Sequence, residues 1–255
     1  MTSEITQINR AEALRYMGYT HEPDERISAV IDQCEQELLK EARPQFVWRV
    51  FNIQRSGREI FLSDCDFELE GHDIAEHLRG CDKAAVVCST LSSSADRFLK
   101  KLDVSDSMKA LITDALANAM VEQVNEEARQ DIINNMPGYA TTWCYGAGYG
   151  DFPIECAPLL IASVDAVRKI GVCCTATHML TPRKTIIGVI GLFRGELDKK
   201  RRSCEDCSLK PANSVLTAHG ANLFCSYLKF KLTKNTSCDI MNCEALTAMI
   251  ISPGL

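Results

Sequence analysis

The chain has no uninterrupted apolar stretch of the roughly 18 residues that a membrane-spanning helix needs, so no spanning segment is expected. It has no excess of basic residues either. With 28 Lys and Arg against 34 Asp and Glu, the formal charge is -6, which argues against a nucleic-acid partner, whose affinity rests on neutralising phosphates. The one basic run, Lys199-Lys200-Arg201-Arg202, is flanked by Glu196, Asp198, Glu205 and Asp206 and reads as a solvated loop. A Gly-Lys-Ser/Thr phosphate loop, a His-Glu-x-x-His zinc motif and a Gly-x-Ser-x-Gly nucleophile elbow are all missing, and no internal repeat is visible. His72, His77, His178 and His219 therefore read as ordinary structural or surface histidines.

What is present is ordinary globular composition, 46% hydrophobic and 24% charged, with ample material for a core. The start, Met-Thr-Ser-Glu-Ile, lacks the basic and apolar regions of a signal peptide, so a cytoplasmic protein is expected. Thirteen cysteines in a reducing compartment read as buried thiols and metal ligands, not as a disulfide framework.

Along the chain, Ile27, Val30, Ile31, Cys34 and Leu38 recur at helical spacing after Pro23-Asp24-Glu25, and Pro44 ends that helix. Residues 45–53 alternate Phe46, Trp48 and Val50 against Val47, Arg49 and Phe51, and Ser56-Gly57 turns the chain into a second strand at 59–62. A short helix at 73–79 precedes Ala84-Ala85-Val86-Val87-Cys88, a run suited to a strand buried on both faces. Helices are expected at 94–101, at 106–134 and at 156–169, with strands at 171–175 and 185–193. Helices and strands mix without regular alternation, so the fold class is α+β, with one domain over 1–195 and a cysteine-bearing tail over 196–255.

Tyr145-Gly146-Ala147-Gly148-Tyr149-Gly150 is a glycine loop whose backbone is free to adopt positive φ and to approach a ligand. No strand leads into it in this reading, so it is not a dinucleotide fingerprint. A plain structural turn and a binding loop both fit the residues alone.

The whole stretch Gly146-Ala147-Gly148-Tyr149-Gly150-Asp151-Phe152-Pro153, then Lys169-Ile170-Gly171-Val172, then Met179-Leu180-Thr181-Pro182-Arg183-Lys184-Thr185-Ile186-Ile187-Gly188, resembles the activation domain of vitamin-B12-dependent methionine synthase in its freestanding form. Ile8-Asn9-Arg10, Leu14-Arg15-Tyr16-Met17-Gly18-Tyr19 and Ala42-Arg43-Pro44 fit the same group, so the resemblance spans about 8–195. It implies a twisted, mainly antiparallel sheet with flanking helices, curved into a C shape. It also implies an accessory role: S-adenosylmethionine is held for reductive re-methylation of a cobalamin on the partner protein, with a flavodoxin-type electron donor. Such a module is not catalytic alone.

In that family an Arg-x-x-x-Gly-Tyr motif holds the ligand, the arginine taking its carboxylate. Gly146, Gly148 and Tyr149 carry over as cofactor-binding candidates, but Cys144 stands where the motif arginine would be. On the long helix, the ligand-binding glutamate's place falls at Asn118, and Thr175-Ala176-Thr177 replaces a Thr-Glu-Ser. Arg183 and Arg129 are the arginines that could supply the charge from another direction. The alternative is the same fold without S-adenosylmethionine binding, acting as a partner-binding or metal-carrying subunit of a corrinoid methyltransferase system. In the tail, Cys204 and Cys207 form a Cys-x-x-Cys, followed by Cys225, Cys238 and Cys243 at spacings of 18, 13 and 5, so Cys204, Cys207 and Cys225 are the candidate ligands for zinc or an iron-sulfur cluster.

Overall fold

A computed structural model describes residues 1–57, 59–63 and 67–195. The tail from 196 onward, including Cys204, Cys207 and Cys225, lies outside the described residues.

Helix α1 (Arg10–Tyr16) starts at Asn9, whose side chain accepts from the Glu12 N–H, and α2 (Glu25–Glu41) starts at Asp24 in the same way, accepting from Ile27. Each cap satisfies a donor left over at a helix start and is worth about 1 kcal/mol. On α2 the buried residues are Ile31, Cys34 and Leu38, the inner part of the predicted stripe.

Strand β1 (Gln45–Ser56) turns at Gly57 into β2 (Glu59–Leu62), as the hairpin reading requires. The short helix α3 (His72–His77) leads to β3 (Lys83–Thr90), on which seven of eight residues are buried. Two helices follow, α4 (Ser92–Ser105) and α5 (Ser107–Asn135). The 29 residues of α5 make it about 43 Å long at 1.5 Å per residue, and Asp106 caps it through the N–H groups of Met108 and Lys109.

The rest of the sheet comes from β4 (Ala140–Thr141), β5 (Tyr145–Gly146) and β8 (Thr185–Phe193). Between β5 and β8 lie a single 3-10 turn at Ile154–Cys156, α6 (Ala157–Val164), α7 (Ala166–Ile170), and a separate hairpin of β6 (Cys173–Cys174) with β7 (Leu180–Thr181). The main sheet runs β2-β1-β3-β8, with β4 and β5 both on the outer edge of β8, and every pairing among the described strands is antiparallel.

This sheet separates two cores. Phe46, Ala85, Val87, Ile190 and Leu192 face α1, α2, α4 and α5, while Val47, Phe51, Val86, Cys88 and Val189 face α3, α6 and α7. The two alternating sets of β1 therefore reach opposite cores, and β3 is covered on both sides. The fold is α+β, helices flanking an antiparallel sheet.

Two expectations need correction. The helix expected at 156–169 is broken at Asp165, which takes the left-handed conformation (φ 58) and ends α6 by donating its N–H to the Ala162 carbonyl. Aspartate is among the few side chains that tolerate this conformation, and its carboxylate accepts from Arg168 Nε at 2.8 Å. The strand expected at 171–175 shrinks to Cys173 and Cys174, because Thr175 already turns the chain, bonding to Met179 through both N–H and hydroxyl.

Candidate functional site

The glycine loop is built from the outer edge of the sheet. Tyr145 and Gly146 pair with Val189 and Gly188 of β8, so a short strand does lead into the loop, contrary to the sequence reading. Gly188 allows this close pairing. A Cβ there would sit 2.6 Å from Cys144 Sγ and 2.6 Å from the Tyr145 carbonyl oxygen.

Beyond β5 the chain closes on itself. Tyr149 donates to the Gly146 carbonyl at 3.1 Å, Gly148 to Phe152 at 2.8 Å and Phe152 to Tyr149 at 2.9 Å. Gly148 (φ 90) and Gly150 (φ 53) occupy the region that favours glycine. At Gly150 there is a second reason: a Cβ would lie 2.1 Å from Asp73 Oδ2 and 2.5 Å from the Tyr145 hydroxyl. Asp151 then fastens the loop to α3, its two oxygens accepting from the His72 and Asp73 N–H groups at 2.7 and 2.9 Å. Negative charge at the start of a helix is favourable, so this one residue caps α3 and anchors the loop.

The floor of the loop is aromatic. His77 stacks edge-on to Trp143 with ring centroids 4.7 Å apart, Trp143 and Tyr145 are 5.0 Å apart, and Tyr149 stands edge-on to Tyr145 at 6.0 Å. His77 Nε2 lies 2.8 Å from the Thr142 hydroxyl, which tethers the ring to β8 through the Gly191 N–H. Tyr149 and Trp143 are half-buried, whereas Tyr145 and Phe152 are buried. The sequence reading treated His77 as an ordinary structural histidine and did not single out Trp143. Nothing local marks them, because their shared site depends on β5 docking beside α3.

Asn118 lies on α5, away from the loop and beside Lys184 at the entry to β8. Its side-chain oxygen accepts from Lys184 Nζ at 2.7 Å, and that ammonium also contacts Asp114 Oδ1 at 2.8 Å and the Asp114 carbonyl at 3.3 Å. Gly146 pairs at Gly188, four residues further along, or about 13 Å at a strand's rise of roughly 3.3 Å per residue. Lys184 is only 7% exposed, and burial lowers its pKa against the opposing pull of Asp114. Arg183 donates its N–H to Asp96 at 2.8 Å and reaches Asp114 with its guanidinium at 3.5 Å. Arg129 pairs with Glu126 and donates to the Thr141 hydroxyl at 2.9 Å.

No family model and no curated protein matches the chain. Among solved structures it is similar to the MetH reactivation domain bound to AdoHcy, at a TM-score of 0.53 and 12% identity, covering 74% of this chain and 75% of that one. The fold is that of the MetH reactivation domain. At this identity the likeness shows the architecture, and each ligand contact has to be argued from this chain's own residues.

Within that reactivation-domain fold, Cys144 is 5% exposed and packs in the core on the α5 side of the sheet. Cys34, Cys81, Cys88 and Cys156 are also free and buried, and burial is the first cause raising the pKa of each, Cys81 to about 11. Such thiols are packing groups with little thiolate character. Cys173 is exposed and Cys174 half-buried, one on each side of β6. Among the described residues no group of three or more His, Cys, Asp or Glu could hold a metal ion, and no helix is long and apolar enough to cross a membrane.

Proposed function

We propose that this chain is an accessory module for reductive reactivation of the cobalamin of B12-dependent methionine synthase, binding S-adenosylmethionine at the glycine loop. The observation that carries the reading is the reactivation-domain fold over three-quarters of the chain, together with a glycine loop anchored at its sheet edge by Asp151. The similar solved domain holds AdoHcy, the demethylated form of that ligand. When bound, S-adenosylmethionine supplies the methyl group, and the protein's own task is placement and exclusion of water.

The loop fits the adenosyl half of such a ligand. Tyr149 and Trp143 are half-buried aromatic rings, and Gly148 is exposed, with only the Ile154 side chain within 4 Å of where its Cβ would stand. Partners follow from the reading: a cobalamin-bearing protein or domain, and a flavodoxin-type electron donor. The experiment is anaerobic incubation of the full chain with its host's corrinoid protein, reductant and S-adenosylmethionine. Appearance of the methylcobalamin spectrum supports the activity. A corrinoid that stays unmethylated under conditions where chemical methylation succeeds removes it.

A second reading has specific support in Asn118 and Cys144. With the amide already bonded to Lys184 and the thiol buried, the same fold serves as a partner-binding or metal-carrying subunit of a corrinoid methyltransferase system. Metal and sulfide analysis of anaerobically purified full-length protein separates the two. Near one equivalent of zinc or an iron-sulfur cluster favours the second reading, with Cys204, Cys207 and Cys225 as the ligands to mutate first.

A further inference from the structure

We propose that the groove between the amino-terminal segment and α5 binds an extended organic cation, a polyamine. The site owes nothing to the glycine loop or to the S-adenosyl reading above. Residues 1–4 lie along the edge of β1 that β3 leaves open. Thr2 bridges to Gln45, Phe46 donates to the Met1 carbonyl at 3.0 Å and Ser3 to the Pro44 carbonyl at 3.1 Å. Facing residues of an antiparallel pair share a side, so with Phe46 turned toward α5, Ser3 is turned toward α5 as well.

On that side α5 presents Glu127 and Asp131 one turn apart, about 6 Å along its axis, and Glu4 adds a third carboxylate from the amino-terminal segment. With Ser3 and Phe46 they line a groove of about 430 Å³. Ser3 is only 5% exposed, yet among the described residues its Oγ has no hydrogen-bond partner, which leaves an acceptor for a donor held in the groove. Asp131 is fixed by Trp48, whose Nε1 donates to Oδ2 at 2.7 Å, and its carboxylate keeps lone pairs for a further donor. The Met1 ammonium ends at the same strand edge but donates to the Phe46 carbonyl at 2.8 Å.

The three carboxylates do not converge on one ion: among the described residues no group of three or more His, Cys, Asp or Glu could hold a metal. Ammonium groups spaced along an alkyl chain suit them better. Those of a short alkyl diamine span about one helix turn, which matches Glu127 and Asp131. A further ammonium meets Glu4, the methylenes lie against Phe46, and an N–H supplies the donor that the Ser3 oxygen lacks.

The test is calorimetry of spermidine on the full chain at low ionic strength, with butylamine as the singly charged control. Spermidine should bind at one site and butylamine about tenfold more weakly or worse, and added salt should weaken spermidine because the groove is open to water. Glu4→Gln with Glu127→Gln should weaken spermidine about fivefold or more. Glu22→Gln with Asp103→Asn makes the same change of net charge at exposed carboxylates elsewhere and should leave binding as it was. Ser3→Ala should weaken spermidine without lowering the melting temperature, since the hydroxyl has no partner to lose among the described residues. Equal weakening by the two double variants, spermidine binding untouched by Ser3→Ala, butylamine binding as tight as spermidine, or no binding at all each overturns the site.

Discussion

Lys184 Nζ sits 2.8 Å from Asp114 Oδ1, yet the two partners are unequally buried: the lysine side chain is 8% exposed and the aspartate 33%. The pair is therefore asymmetric. Asp114→Ala strands an ammonium in the protein interior with only neutral acceptors, at a cost of about 3 kcal/mol. Lys184→Met leaves a carboxylate that water can still reach and Arg183 can still approach, and should cost nearer 1 kcal/mol. Urea denaturation of both variants gives the order, and equal losses would show that the pair is solvated.

The same lysine sets a pH dependence. Its pKa is lowered in the folded state, first by burial, so between that lowered value and the ordinary 10.5 the unfolded chain binds more protons than the folded one. Stability contributed by this site is lowest at low pH and rises as pH approaches 10.5. The stability of the parent relative to Lys184→Met should therefore increase from neutral to alkaline pH, as measured by urea unfolding at each pH.

Cys81 works in the opposite sense. Burial raises its pKa from 9.0 to about 11, so the unfolded thiol ionises first. Its contribution is fully present below pH 9 and is lost as pH climbs toward 11. Cys81→Ala should be less stable than the parent at pH 7 because a buried thiol is lost, while the gap narrows above pH 9. A gap that holds constant to pH 11 would mean Cys81 is solvated in the folded protein.

Much of this architecture was legible from periodicity, because it rests on local pattern. Ile31, Cys34 and Leu38 lie on one face of α2 at any tertiary placement, and the Ala84 to Cys88 run suits a strand buried on both faces, which is what β3 is. The site was less so. Lys184 carries no local mark of burial, and only the entry of β8 beneath α5 buries it. The β5 strand is two residues long and exists because Gly188 lets it approach, a property of β8 invisible at Tyr145. Asp165 carries no signal that distinguishes it from a helical aspartate, and its left-handed conformation shows only in the folded chain.

Three loop residues, two glycines and an aspartate, should separate by cause. Gly148→Ala adds a Cβ that meets only Ile154 at 3.7 Å, so its cost is the positive φ alone, about 1 kcal/mol. Gly150→Ala drives a methyl into Asp73 and the Tyr145 hydroxyl and should cost several times more. Asp151→Ala, which releases two N–H groups of α3, falls between at about 1–2 kcal/mol. Thermal unfolding of the three variants ranks them, and a Gly148→Ala loss as large as that of Gly150→Ala would contradict the loop geometry.

Gly188→Ala tests how β5 is held. The new methyl would meet Cys144 Sγ at 2.6 Å and, at the same distance, the Tyr145 carbonyl oxygen. A thiol can be trimmed away, but a strand's own carbonyl cannot move without giving up its pairing with β8. Gly188→Ala should therefore cost about 3 kcal/mol, and Cys144→Ala in the same chain should restore little of it. Loss of β5 would also release Trp143 from Tyr145, so the near-ultraviolet circular dichroism should weaken while the far-ultraviolet signal of the long helices stays. If Cys144→Ala instead rescues stability fully, the clash is with the thiol alone and the backbone of β5 lies further from β8 than the geometry here requires.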